Sequence, residues 1–146
     1  MSRRVVVTGL GALTPIGTGV EKFWQALLDC KSGANVLEAF DTKDFSVHIG
    51  AEVQDFDAAE YLGVKHARTL DRFSHFALAS ADESVADSGL DLDQEDVTRV
   101  GCIWASGIGG LIEIEATHLV YQDRGPRRIS PFFIPKLMVN AACGQI

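Results

Sequence analysis

Three sets of residues in this sequence could do chemistry. The first is a glycine-rich turn, Ser106-Gly107-Ile108-Gly109-Gly110, which follows the apolar run Val100 to Ala105 and runs straight into an apolar-periodic segment. That order is the pattern of a buried strand leading through a tight turn into a helix N-terminus. Glycines let the backbone bend sharply and let another group approach. The turn therefore reads either as a plain connection or as a support from which Ile108, the one bulky side chain, projects into a pocket. The second set is the thiols of Cys30, Cys102 and Cys143. They are far apart and odd in number, no CxxC pair exists, and His48, His66, His75 and His118 are scattered. This argues against a disulfide framework or a zinc site, and each cysteine reads as a small core hydrophobe. The third set is positive charge, gathered at Lys65, His66, Arg68 and Arg72 and again at Arg124, Arg127 and Arg128. Such clusters are either solvated loop faces or a landing site for an anionic partner, and charge alone favours the former.

The elements that must position these residues can be read from pattern. A chain of 146 residues with 47% apolar and 23% charged content is an ordinary globular composition, one domain by length. Its net charge of −7 argues against nucleic acid as a partner, and no apolar run is long enough to span a membrane. Arg3-Arg4 before Val5-Val6-Val7 resembles a secretory start, but Thr8, Gly9, Gly11, Thr14 and Pro15 break the run, so the cytoplasm is the expected location.

Arg4 to Thr8 reads as a buried strand. Gly9-Leu10-Gly11 after it invites a dinucleotide-binding reading, but Thr14 stands where the third glycine belongs, leaving turn chemistry. Val20, Phe23, Trp24, Leu27 and Leu28 form one apolar stripe, which predicts a core helix with a left-handed cap at Gly33. Residues 34–63 read as an excursion from the sheet, with a short strand within 47–53 and a helical turn or two over 57–62. Thr69 to Ser88 is the cleanest helix. Its face of Phe73, Phe76, Ala77, Ser80, Ala81, Ser84, Val85 and Ser88 is rich in small side chains that admit a close neighbour. A further helix is expected over Leu111 to Gln122, stopped by Gly125-Pro126. Pro131 and Pro135 bracket Phe132-Phe133-Ile134, which predicts a buried loop or an interface segment and no regular helix there. Another helix starts near Lys136. Two buried strands and four helical segments leave a parallel sheet without cover, so residues 1–146 read as the front of a larger α/β domain.

Three blocks in a fixed order, Arg4-Val-Val-Val-Thr-Gly-Leu-Gly-Ala-Leu-Thr-Pro-Ile-Gly17, Ser106 to Gly110, and Gly125-Pro-Arg-Arg-Ile-Ser-Pro-Phe-Phe-Ile-Pro135, resemble the β-ketoacyl-[acyl-carrier-protein] synthases, in particular the type II condensing enzymes of bacterial fatty-acid synthesis. The resemblance implies the N-terminal part of a thiolase-like α/β fold, a mostly parallel sheet between helix layers, incomplete in this chain and homodimeric in the full-length family. It implies a decarboxylative Claisen condensation of acyl and malonyl thioesters carried by acyl carrier protein, with no cofactor and no metal. It places the nucleophilic cysteine and both catalytic histidines beyond Ile146, and Cys143, in Ala-Ala-Cys-Gly-Gln, does not match the nucleophile motif. No catalytic residue is therefore assigned here, and the chain by itself is expected not to condense acyl groups. Ile108 corresponds to the residue that gates the acyl pocket and Phe133 to one that helps enclose the partner subunit's pocket. Lys65, Arg68, Arg127 and Arg128 correspond to basic positions that receive the acidic carrier protein, with Thr69 standing where a further basic residue is common. Two other readings stay open: a non-catalytic partner subunit of the chain-length-factor kind, and a small nucleotide-binding α/β domain resting only on Gly9-Leu10-Gly11.

Overall fold

The computed structural model describes residues 3–146. They form two compact units, one running up to Phe56 and including Asp82–Leu90, the other comprising Asp57–Ala81 and Asp91–Ile146.

In the first unit a short antiparallel hairpin, β1 (Leu13–Thr14) with β2 (Gly17–Thr18), leads into helix α1 (Val20–Leu28). The residue before α1 is Gly19, which offers no side-chain cap for the free N–H groups of the first turn. A carboxylate from elsewhere in the sequence fills that role. Helix α4 (Arg72–Ser88) contributes its last turns to this unit, and Glu83 accepts from Val20 N–H through one oxygen (2.7 Å) and from Ala12 N–H through the other (2.8 Å). Asp87, one turn later on the same face, accepts from Leu10 N–H (2.9 Å). The negative charge also meets the positive end of the α1 dipole. Helix α1 does not end at Gly33: Cys30 takes the left-handed conformation (φ 54°), and Lys31 N–H closes back on Ala26 O at 2.9 Å. No member of the apolar stripe is buried: Val20 and Phe23 are half-buried and Trp24, Leu27 and Leu28 stand exposed, while the buried residue of α1 is Ala26, outside the stripe, so α1 is not the core helix its periodicity predicts. A second hairpin, β3 (Ala34–Val36) with β4 (Ile49–Ala51), is antiparallel and shorter than the 47–53 stretch expected.

In the second unit, Asp57 caps α2 (Ala58–Leu62) by accepting from Ala59 N–H at 2.7 Å and Glu60 N–H at 3.3 Å. Then come α3 (Val64–Ala67), the first turns of α4, a 3₁₀ turn at Val97–Arg99, and α5 (Leu111–Arg124). A 3₁₀ turn at Pro126–Arg128, α6 (Phe133–Leu137) and α7 (Ala141–Gln145) complete it. Leu70, Ala77, Leu78, Ala79 and Ala142 are buried here, so the close packing expected of the small side chains on α4 is realised at Ala77. The helix starts at Arg72 and not at Thr69, because Asp71 supplies the start: its carboxylate accepts from Phe73 N–H at 3.3 Å.

Two expectations about regular structure are corrected. Arg4–Thr8 and Val100–Ala105 form no strand, and both are exposed, Val5 at 88% and Ile103 fully. A strand exists only by pairing, and among the described residues the only ladders are the two antiparallel hairpins. The Pro131–Pro135 stretch is partly helical: Pro135 is the third residue of α6, where an N–H would have no intrahelical acceptor, so the proline costs nothing there.

Removing the Glu83 carboxylate should leave two N–H groups of unlike origin without an acceptor. Glu83→Ala is expected to lower the unfolding free energy by about 1–3 kcal/mol, read as a reduced denaturation midpoint, with Glu83→Gln intermediate.

Candidate functional site

The glycine turn is held from both sides. Ser106 Oγ accepts from Gly109 N–H at 3.0 Å, and Gly110 N–H donates to Leu137 O, at the end of α6, at 3.2 Å. Gly109 has φ 80°, and a side chain there would come within 2.7 Å of Leu137 O; one on Gly110 would come within 2.6 Å of Lys136 O. Both glycines are therefore required by a backbone-to-backbone approach. Gly107, by contrast, faces open space. Ile108 projects from this support, 62% exposed.

The rest of the site is fixed to the same turn. In the first turn of α5, Glu113 accepts from Lys136 Nζ of α6 at 3.1 Å, and both side chains are largely covered. Just before the turn, Trp104 N–H donates to Cys143 Sγ of α7 at 3.1 Å, and the Cys143 thiol reaches Trp104 O at 3.6 Å. Helices α6 and α7 are thus joined to the segment that carries Ile108. Phe133, half-buried, opens α6.

The basic residues lie on two short elements. Lys65 is on α3 and Arg68 follows it; Arg127 and Arg128 form the 3₁₀ turn after Gly125. All four are exposed, and among the described residues none is held in an ion pair. Helix α3 is anchored by His66, whose Nε2–H donates to Gln145 Oε1 of α7 at 3.3 Å, and by His75 of α4, whose Nε2–H donates to Ala67 O at 3.0 Å. Burial lowers the His75 pKa from its ordinary 6.5, and Arg72 and Lys136 add to the shift; the Ala67 hydrogen bond and Asp71 oppose it without overcoming it.

An open hollow of about 490 Å³ lies beside this anchor, walled by Leu70, Phe132, Pro135, Met138 and Ala141 among others. Neither Ile108 nor Phe133 lines it; the neighbouring Phe132 does. The apolar bulk of Phe132-Phe133-Ile134 marked the segment in the sequence, but the helical phase of α6, which decides which ring faces the hollow, was hidden by the expectation of a non-helical loop. The thiols also differ from expectation: Cys30 and Cys102 are exposed and Cys143 is half-buried, because the segments that carry the first two are not covered. Among the described residues no group of three His, Cys, Asp or Glu side chains could hold a metal, and no helix is long and apolar enough to cross a membrane.

The fold superposes on those of solved ketosynthases. A chain of an assembly described as a type II polyketide acyl-carrier protein in complex with its ketosynthase superposes with a TM-score of 0.80 at 25% identity, covering 99% of this chain and 39% of that one. A β-ketoacyl synthase from Burkholderia phymatum STM815, at 20% identity, shares the fold with a TM-score of 0.77 over 98% of this chain and 36% of its own length. The fold class is thus α/β and thiolase-like, represented in part. The model of the β-ketoacyl synthase N-terminal domain matches residues 2–146, so the chain belongs to the β-ketoacyl synthase family. It is 45% identical over 144 residues to 3-oxoacyl-[acyl-carrier-protein] synthase 2 of Vibrio harveyi, covering 99% of this chain and 35% of that protein. The chain spans about a third of the length of the relatives it matches.

Because the folded state disfavours the His75 cation, the unfolded chain takes up that proton first as the pH falls. The contribution is complete above the ordinary value of 6.5 and is lost as the pH drops below it towards the lower folded-state value. Unfolding free energies measured from about pH 7.5 to pH 5 should fall in the native chain and fall less in His75→Gln.

Proposed function

We propose that these residues serve a condensing enzyme of fatty-acid synthesis, which extends an acyl group by decarboxylative Claisen condensation with malonyl-[acyl-carrier protein]. The single observation that carries this is the 45% identity to 3-oxoacyl-[acyl-carrier-protein] synthase 2 over 99% of the chain. It also favours an active synthase over a non-catalytic chain-length-factor-like subunit and over a nucleotide-binding domain. Against the last, the N–H groups of Leu10, Ala12 and Val20 that would face a phosphate are already taken up by the carboxylates of Glu83 and Asp87. The enzyme works in the cytoplasm as a homodimer, with acyl and malonyl thioesters as substrates.

Within that enzyme the chain supplies pocket wall and docking surface, and the nucleophile and the two catalytic histidines come from residues outside it. Ile108 gates the acyl pocket, a role supported by its exposure on a turn whose backbone is clamped to α6. Phe133 helps enclose the pocket of the partner subunit. Lys65, Arg68, Arg127 and Arg128 receive the acidic carrier protein, a role supported by four exposed cations that have no ion-pair partner among the described residues of an otherwise acidic chain. Charges placed this way steer encounter and make it salt-dependent.

In this reading Cys143 is not the nucleophile, because Ala-Ala-Cys-Gly-Gln does not match the family's nucleophile motif. Incubation of the 146-residue chain with an acyl thioester should leave Cys143 without an acyl group by peptide mass spectrometry; a thioester there, absent in Cys143→Ala, would overturn this assignment. In the complete enzyme, Arg127→Glu with Arg128→Glu should raise the apparent KM for carrier-bound substrate by roughly ten-fold or more and flatten its dependence on salt. An unchanged KM and salt slope would remove the docking role.

A further inference from the structure

The start of α5 and the end of α6 are joined by two contacts of different kinds. Gly110 N–H donates to Leu137 O at 3.2 Å, and Glu113 Oε2, three residues further along α5, accepts from Lys136 Nζ at 3.1 Å. A single hydrogen bond sets a distance and leaves rotation about its own axis, whereas a second contact nearly one helical turn away removes that freedom. The pair is largely covered, unlike the Lys43–Asp41 pair, which stands in solvent. Cover strengthens the attraction and makes the loss of one member costly. In a capping box a glutamate at this third helical position accepts from the N-cap N–H of its own helix. Here that N–H, on Gly110, is taken by Leu137 O, which frees the Glu113 carboxylate to reach across. Its other oxygen, Oε1, accepts from the buried Thr117 hydroxyl at 3.5 Å. Ile108 lies two residues before Gly110 and is itself exposed. Its orientation within this chain is set through its backbone, tied at Ser106 Oγ on one side and at α6 on the other.

We propose that Glu113 and Lys136 are positioning residues for Ile108, and that their ion pair sets how sharply the enzyme discriminates among acyl-chain lengths. This rests on the reading that Ile108 gates the acyl pocket. A gate discriminates by holding one setting. A side chain kept in a fixed place admits the chains that clear it and opposes those that do not, and the difference appears in kcat/KM. With the backbone bond alone the turn swings about its attachment to α6, Ile108 samples several settings, and chains of different length are admitted more nearly alike. The pair therefore adds selectivity without touching substrate.

The test uses the complete enzyme and two readouts: amide hydrogen exchange over residues 106–112, and kcat/KM for a series of acyl-[acyl-carrier protein] substrates of increasing chain length. Lys136→Met and Glu113→Gln should each speed exchange in that segment roughly ten-fold. They should also narrow the ratio of kcat/KM between the best and the worst chain length by about three-fold or more. Lys136→Arg, which keeps the charge and the reach, should match the native enzyme in both. Glu113→Gln keeps an acceptor for Lys136, so it carries the test if Lys136→Met does not fold. Native exchange rates in the variants overturn the positioning role. An equal narrowing in Glu83→Ala, which weakens the other unit, also overturns the proposal, since general loss of stability then accounts for it. A native length profile in the pair variants overturns the claim on selectivity, and Ile108→Ala then separates the two ideas. If Ile108→Ala alone shifts the profile, the gate stands and the role of the pair falls; if it does not, the gate reading falls as well.

Discussion

The site depends on two backbones lying against each other without side chains between them. At Gly109 and Gly110 the turn approaches the carbonyls of Lys136 and Leu137 so closely that no Cβ fits, and Gly110 N–H uses the approach to donate to Leu137 O. Once that contact is made, the start of α5 and the end of α6 are fixed side by side. Glu113 and Lys136 then meet at 3.1 Å, an acidic residue in a first turn and a basic one in a last turn, each at the helix end its charge favours. Partial burial strengthens the attraction but also costs desolvation, so the larger penalty falls on removing one member alone.

The first unit solves a similar problem with charge. The turn at Gly9-Leu10-Gly11 and the uncapped start of α1 leave N–H groups that local sequence does not satisfy. Glu83 and Asp87, spaced one helical turn apart and arriving from about seventy positions away, accept them. A carboxylate pair is a strong acceptor for such groups, and it repels the phosphate that a glycine-rich turn after an apolar run would otherwise suggest. The two glycine turns look alike as text. One is closed by carboxylates, and the other is closed by a carbonyl and leaves Ile108 standing free.

Much of the helical content was legible because it depends on near neighbours. Val20–Leu28, most of Thr69–Ser88 and Leu111–Arg124 follow from apolar spacing and from stop signals such as Gly125-Pro126, all of which act within a few residues. The family was legible as well, since it rests on ordered blocks of residue identity. The side of each helix that finds cover was not. The stripe on α1 has the right period for burial, yet none of its five residues is buried, because period reports which residues share a face and not whether anything lies against it.

The sequence by itself determined that helices lie over 20–28, most of 69–88 and 111–124, which turn carries a bulky residue among glycines, and which family the chain belongs to, since each of these is encoded in neighbouring residues or in their identities. Only the tertiary structure decided that Val5–Val7 and Ile103 lie outside any strand, that Phe132 and not Phe133 faces a hollow, and that Glu83, Lys136 and Cys143 find partners twenty to seventy positions away. The physical reason is the range of the interactions. Helix propensity and turn chemistry act along the chain, whereas ladder pairing, desolvation and long-range hydrogen bonding require surfaces that exist only after distant segments have come together.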